Sequence, residues 1–186
     1  MKGASRTPAP PRIVYRGRVF DVYEGDVTFP DGRVGFFSWL THKPVIVVLP
    51  VTGDGKFVLL QQYRPAIGAS LLEAPAGTMD KGEESVEECV QREMAEETGF
   101  RAKRLVKLFE GYVVPGYCNE YMHFFLAHDL YRAPLPGDED EYIETVEVAF
   151  ADAAAMVADG RIRDCKTALG IRLAEDSLRN EGLLRS

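Results

Sequence analysis

The chain has 186 residues, 46% hydrophobic and 27% charged, which suits one globular domain with room for a substantial core. Its net charge of −7 argues against a general affinity for nucleic acid or anionic membrane, though not against a small phosphorylated substrate held through a metal. The longest apolar runs, Val45–Leu49 and Ala153–Ala158, are far too short to span a bilayer.

Residues 1–12, with the run Thr7-Pro8-Ala9-Pro10-Pro11, hold no apolar core, so they are no secretory signal and are expected to form a disordered or loosely attached tail. Residues 13–40 form an N-terminal β region, in which Val19–Phe29 and Gly35–Leu40 flank the turn Pro30-Asp31-Gly32. It carries Tyr15, Phe20, Tyr23, Phe29, Phe36, Phe37 and Trp39. A two-stranded hairpin is marginal alone in water, so this segment must pack on its own domain or on a partner subunit. Further strands are predicted over Val45–Val51 and Lys56–Tyr63, about the turn Gly53-Asp54-Gly55, and over Leu105–Tyr112, Glu120–Ala127 and Ile143–Phe150. Helices are predicted over Ala151–Ala158, ended by Gly160, and over Thr167–Asn180, where Ala168, Ile171, Ala174 and Leu178 share a stripe. Leu169 and Leu173 fall outside it, which implies cover on more than one side. The order describes an α+β fold with a sheet covered on both faces. Cys89, Cys118 and Cys165 are odd in number and lack metal-ligand spacing, which reads as reduced thiols in a cytoplasmic protein.

The most informative element is a helix starting near Val86 and ending at Gly99. Ser85 with Glu88 has the form of a capping box, and Gly99 supplies the left-handed terminator. At about 100° per residue, with Val86 at zero, Val90, Met94 and Cys89 fall at roughly +40°, +80° and −60° and mark the core side. On the same count Glu97, Glu93 and Glu96 fall at roughly +20°, −20° and −80°, so the carboxylates continue the buried side. Like charges so placed repel, and their desolvation is costly unless they are paired or bind a cation. Hard cations such as Mg²⁺ take oxygen ligands and bridge carboxylates to phosphates. The bland alternative, a solvated Glu-rich helix end, fits that angular placement poorly. Before the helix, Ala74-Pro75-Ala76-Gly77-Thr78-Met79-Asp80-Lys81-Gly82-Glu83-Glu84 forms a loop whose two glycines permit unusual backbone angles and let a carbonyl approach a metal.

At these residues the chain resembles the Nudix hydrolase family. Arg92-Glu93-Met94-Ala95-Glu96-Glu97-Thr98-Gly99-Phe100 matches the second half of the family motif at every fixed position. Upstream there is one residue too many: Glu83 keeps the motif's gap from Gly77, whereas Glu84 keeps its gap to Arg92, and either could be the first motif Glu. The resemblance implies a Nudix α/β/α sandwich with a mixed sheet over 41–186, preceded by the antiparallel region. It implies Mg²⁺, or Mn²⁺, held by Glu93, Glu96, Glu97 and the Ala76 carbonyl. Arg92 is expected to orient a Glu through charge-assisted hydrogen bonds.

Outside the motif, the chain is similar to the ADP-ribose pyrophosphatase subgroup. Pro115 stands where the subgroup has its Pro after the last motif glycine, and Glu120 stands at a substrate-contacting position. Gln62-Tyr63-Arg64 resembles a strand end whose Arg contacts the substrate, and Trp39 is a candidate base-stacking aromatic, though core or interface packing is its plainer reading. In the run Pro136–Glu144, Glu141 matches the acidic residue proposed as general base, while Asp138–Asp140 read as solvated. The expected activity is hydrolysis of a nucleoside diphosphate sugar, ADP-ribose giving AMP and ribose 5-phosphate. The alternatives are a GDP- or UDP-sugar, a dinucleoside polyphosphate (suggested by Tyr117), or a non-catalytic nucleotide sensor. The resemblance also implies a homodimer built through Ile13–Leu40.

Overall fold

The computed structural model describes residues 9–137 and 142–184. These fall into two compact units: the residues up to Pro44 with Tyr112–Tyr121, and Val45–Gly111 with the residues from Met122 onward.

The smaller unit is a three-stranded antiparallel sheet, β1 (Arg12–Arg16), β2 (Phe20–Thr28) and β3 (Val34–His42), in that order. The expected two-stranded hairpin is therefore completed by a third strand, which lies within the expected N-terminal β region except for Arg12, the last residue of the expected tail. Its turn closes as Phe29 N–H donates to the Arg33 carbonyl at 2.8 Å. Ala9, read as part of a loose tail, donates to the Asp26 carboxylate at 2.6 Å and accepts from Asp26 N–H at 3.0 Å. The rest of that expected tail, 1–8, lies outside the described residues. Tyr112–Tyr121 is fastened to β3, where Leu40 N–H donates to the Tyr117 carbonyl and His42 N–H to Asn119 Oδ1.

The larger unit is organised by β4 (Val45–Pro50), all six residues of which are buried. It lies inside a four-stranded sheet, β7-β4-β9-β8, antiparallel to β7 (Ala76–Thr78) and parallel to β9 (Tyr121–Arg132), with β8 (Phe100–Tyr112) at the edge. Alternation along β4 divides its side chains between two cores. Val45, Val47 and Leu49 join Phe124 and Leu126 under Ile171, Ala174 and Leu178 of α3 (Cys165–Asn180). Ile46 and Val48 join Phe125 and Ala127 under Cys89, Val90 and Met94 of α1 (Val86–Thr98). Each Val, Leu, Ile, Phe or Met side chain so buried contributes about 1.5–3 kcal/mol. The mixed sheet is thus covered on both faces, as the α+β reading requires. A second antiparallel sheet, β10-β5-β6, comprises β5 (Lys56–Arg64), β6 (Ala69–Glu73) and β10 (Ile143–Ala149), and α2 (Phe150–Ala158) follows it.

Local chemistry fixes α1. Ser85 Oγ accepts from Glu88 N–H at 3.2 Å while the Glu88 carboxylate accepts from Ser85 N–H at 2.8 Å, which closes the capping box. Gly99, at φ 73°, ends the helix, and β8 begins at once at Phe100 rather than at Leu105.

Candidate active site

The helix α1 delivers the acidic cluster, and Arg92 organises it. The Arg92 guanidinium grips Glu84 with two hydrogen bonds of 2.8 and 2.9 Å. Its Nη1 donates to Glu93 at 2.7 Å and to Glu96 at 2.9 Å. The side chains of Arg92, Glu84, Glu93 and Glu96 are only 14–20% exposed, so these charges interact in partly desolvated surroundings. Arg92 holds the Glu84 carboxyl below the usual carboxylate range. Burial, and then the Glu93 charge, push the Cys89 thiol up to about 12, so this residue is an inert core group despite its position.

The fourth carboxylate, Glu97, accepts from Ala76 N–H at 3.0 Å. This ties α1 to β7, the short strand that the sequence reading took for part of a loop. Gly77 has no left-handed φ here; the residue of the loop that does is Gly82, at φ 68°. Gly77 instead provides space. A Cβ on it would lie 1.9 Å from the Glu93 carboxyl carbon, so the Glu93 carboxylate fills the notch that glycine leaves.

Among the described residues, no three acidic, His or Cys side chains already converge as a metal cage. Glu93 and Glu96 turn to Arg92, and Glu97 turns to Ala76 N–H. The donor set nonetheless fits a hard divalent cation. Three carboxylates surround a single guanidinium, a fourth follows on the same helix, and the surplus negative charge is mostly shielded from water.

A second ionic cluster belongs to the end of β6. The Glu73 side chain, 1% exposed, accepts from Arg64 Nε at 2.8 Å and from its Nη2 at 2.6 Å, and also receives Lys166 Nζ. Burial would raise the Glu73 carboxyl, but Arg64 and Lys166 hold it below its ordinary value. Lys166 also donates to Asp164 at 2.9 Å, and Asp164 caps α3 by accepting from Thr167 N–H at 3.0 Å. Thr167 Oγ donates to Asp164 and accepts from Ala74 N–H at 2.7 Å.

A NUDIX domain model matches residues 41–165. The chain belongs to the Nudix family. It is 37% identical to the ADP-ribose pyrophosphatase of Bacillus subtilis (strain 168) over 161 residues, 86% of each chain. It is 43% identical over 131 residues to the GDP-mannose pyrophosphatase of Yersinia pestis (strain Pestoides F), covering 66% of this chain and 65% of that one. The crystal structure of an ADP compounds hydrolase superposes with a TM-score of 0.84 at 27% identity, over 96% of each chain. The chain is accordingly a Nudix hydrolase.

Within the Nudix motif, the geometry pairs Glu84, not Glu83, with Arg92, so the surplus residue sits between Gly77 and Glu84. Outside it, Arg64 is clamped by Glu73 with 38% of its side chain exposed. Trp39 is half-buried and stacks on Tyr23, its cross-strand partner, with ring centroids 5.7 Å apart. Pro115 lies in the turn that Tyr117 and Cys118 close on the Val114 carbonyl, and the Glu120 carbonyl accepts from Val113 N–H at 3.2 Å. Glu141, with Asp138–Asp140, lies outside the described residues. Sequence reasoning missed Glu73, Asp164, Lys166 and Thr167. A Glu closing a buried strand, and an Asp three residues before a Thr at a helix start, were the available signals.

Proposed function

We propose that this Nudix hydrolase cleaves the pyrophosphate bond of a nucleoside diphosphate sugar, with ADP-ribose and water giving AMP and ribose 5-phosphate. The observation that carries the reading is the surplus of shielded carboxylates gathered about Arg92 and the Gly77 notch. Glu93, Glu96 and Glu97, with the Ala76 carbonyl, would hold Mg²⁺ or Mn²⁺, which when bound offsets diphosphate charge and lowers the pKa of a water. Arg92 keeps Glu93 and Glu96 oriented, and Arg64 faces the diphosphate as a fixed cation. Glu141 accepts the proton of the attacking water as the bond from phosphorus to its bridging oxygen breaks. Pro115, Glu120 and Trp39 shape the sugar and base contacts. A sensor on the same fold has no need to keep surplus carboxylates together.

The similarity to a GDP-mannose pyrophosphatase favours a GDP-sugar as the second reading. One assay separates the readings: ADP-ribose, GDP-mannose, a UDP-sugar and a dinucleoside polyphosphate with Mg²⁺, products identified by mass. Fastest kcat/KM for ADP-ribose is expected, and absence of hydrolysis of every member would sink the enzymatic reading for this class.

The protein is further proposed to act in the cytoplasm as a homodimer joined through Ile13–Leu40. Among the described residues, no helix is long and apolar enough to cross a membrane. The three-stranded sheet leaves Tyr15 57% and Phe36 55% exposed on one face and Phe37 43% exposed on the other, apolar surface that suits a second copy. Light scattering should give a dimer at micromolar concentration; a stable, fully active monomer would overturn this.

A further inference from the structure

The cluster behind Arg64 has a chemical logic of its own. Arg64 spends Nε and Nη2 on Glu73, a bidentate clamp that fixes the plane of the guanidinium. A buried carboxylate holds an arginine well only if it is itself held, and Glu73 is held by Lys166, whose side chain is 10% exposed. Lys166 is in turn locked to Asp164, the cap of α3. On the same first turn Thr167 binds Ala74 N–H, in the segment that runs on to Ala76 and its bond to Glu97. The start of α3 thus sits behind both a cation of the diphosphate site and the strand that fastens Glu97.

We propose that Lys166 is a positioning residue: through Glu73 it sets the guanidinium of Arg64 for the substrate's diphosphate. This rests on the nucleoside diphosphate sugar reading for its activity readout. Lys166 touches no reacting atom, so its loss should appear in substrate binding far more than in turnover. Lys166→Met should raise KM for ADP-ribose about tenfold while kcat changes less than about threefold, and Lys166→Arg should restore most of the loss. In an Arg64→Ala background, Lys166→Met should add nothing further to KM, because the group it positions is gone. The double variant Glu73→Gln with Lys166→Met removes one buried charge of each sign and so leaves the net charge of the cluster unchanged, and it should show at least the same rise in KM should the single variant fold poorly.

The second readout is independent of activity. In nitrogen-15 NMR spectra, the Arg64 Nε–H signal should be sharp in the intact protein and broadened or shifted toward the free-arginine position in the variants. If the protein hydrolyses no diphosphate sugar but the NMR signal responds as stated, the functional reading fails and the positioning link stands. An unchanged KM and an unchanged Arg64 signal would overturn the proposal. An equal loss with and without Arg64 would overturn it as well, by making Lys166 merely structural.

Discussion

The two ionic clusters of the larger unit are built from similar parts in different proportions. About Glu73, among the described residues, two carboxylates meet two cations, and each charge has an opposite partner within hydrogen-bond reach. About Arg92, among the described residues, three carboxylates meet one guanidinium, and Glu97 on the same helix accepts from the Ala76 backbone N–H. A balanced buried network is complete as it stands, and taking one member away leaves an uncompensated charge. In an unbalanced one, removing a carboxylate relieves repulsion, and on the proposed function it would also remove a ligand of the cation. Removing a charge should therefore have opposite consequences for stability in the two places, and that contrast can be measured.

The largest effect is expected at Glu97. Glu97→Gln should cut kcat by about a thousandfold, the scale of losing one preorganised electrostatic group. Its melting temperature in the presence of a chelator should not fall. An unchanged rate at saturating Mg²⁺ would rule out the acidic site as drawn. Glu141→Gln should lower kcat about a hundredfold or more with little effect on KM, the signature of a general base, whereas Asp138→Asn should do little. Equal behaviour of those two variants would move the base elsewhere. Gly77→Ala should cost about a hundredfold in kcat/KM, because its methyl displaces the Glu93 carboxylate by an ångström or more. Retention of full activity there would break the link between the notch and the chemistry.

In the balanced cluster the effect is on folding. Glu73→Ala removes the buried carboxylate that Arg64 and Lys166 share and should cost about 3–5 kcal/mol, read as a fall in melting temperature of roughly 6–20 °C. A fall no larger than that of Glu97→Gln would erase the contrast between the clusters. The smallest effect is a pH slope. Glu73 and Glu84 both titrate lower in the folded chain than in the unfolded one. Their stabilisation is therefore complete above the unfolded carboxylate pKa of about 4.3 and lost as pH falls through the folded values. Melts recorded from pH 7 down to pH 3 should show the decline setting in below about 4.5, and Glu84→Gln should flatten it. An identical slope in that variant would remove Glu84 from the account.

The acidic helix was legible because its information is local. A capping box, a terminal glycine and a 3.6-residue period place Glu93 and Glu97 beside Val90 and Met94 without any knowledge of the rest of the chain. The periodicity was silent about Ala95, which lies opposite Val86 on the helical wheel yet is fully buried. The segment after β9 covers it, with Leu135 N–H bonded to the Ala95 carbonyl, and no helical count can foresee a strand's extension lying across a helix. The three residues of β7 are too short to alternate, and only pairing with β4 makes them a strand. Glu73 and Lys166 are far apart in sequence, so their meeting depends on α3 docking over β4, a tertiary fact. The role of Gly77 was mistaken for the same reason: its dihedrals are ordinary, and what demands glycine is the carboxylate that arrives from α1.

The central strand also sets a timetable for biosynthesis. The segment Val45–Pro50 emerges from the ribosome as a wholly apolar ribbon, but its parallel neighbour, in which Met122 pairs with Val45, follows only after β5, β6, α1 and β8 have been made. At roughly 5–20 residues per second, that interval lasts several seconds. Through it the nascent chain presents an uncharged, β-branched stretch of the kind that self-associates. The early antiparallel pairing with β7 and the docking of α1 are the contacts that can shelter it in the meantime. Yield in a heterologous host should accordingly depend on chaperone supply and temperature more than on the finished molecule's stability.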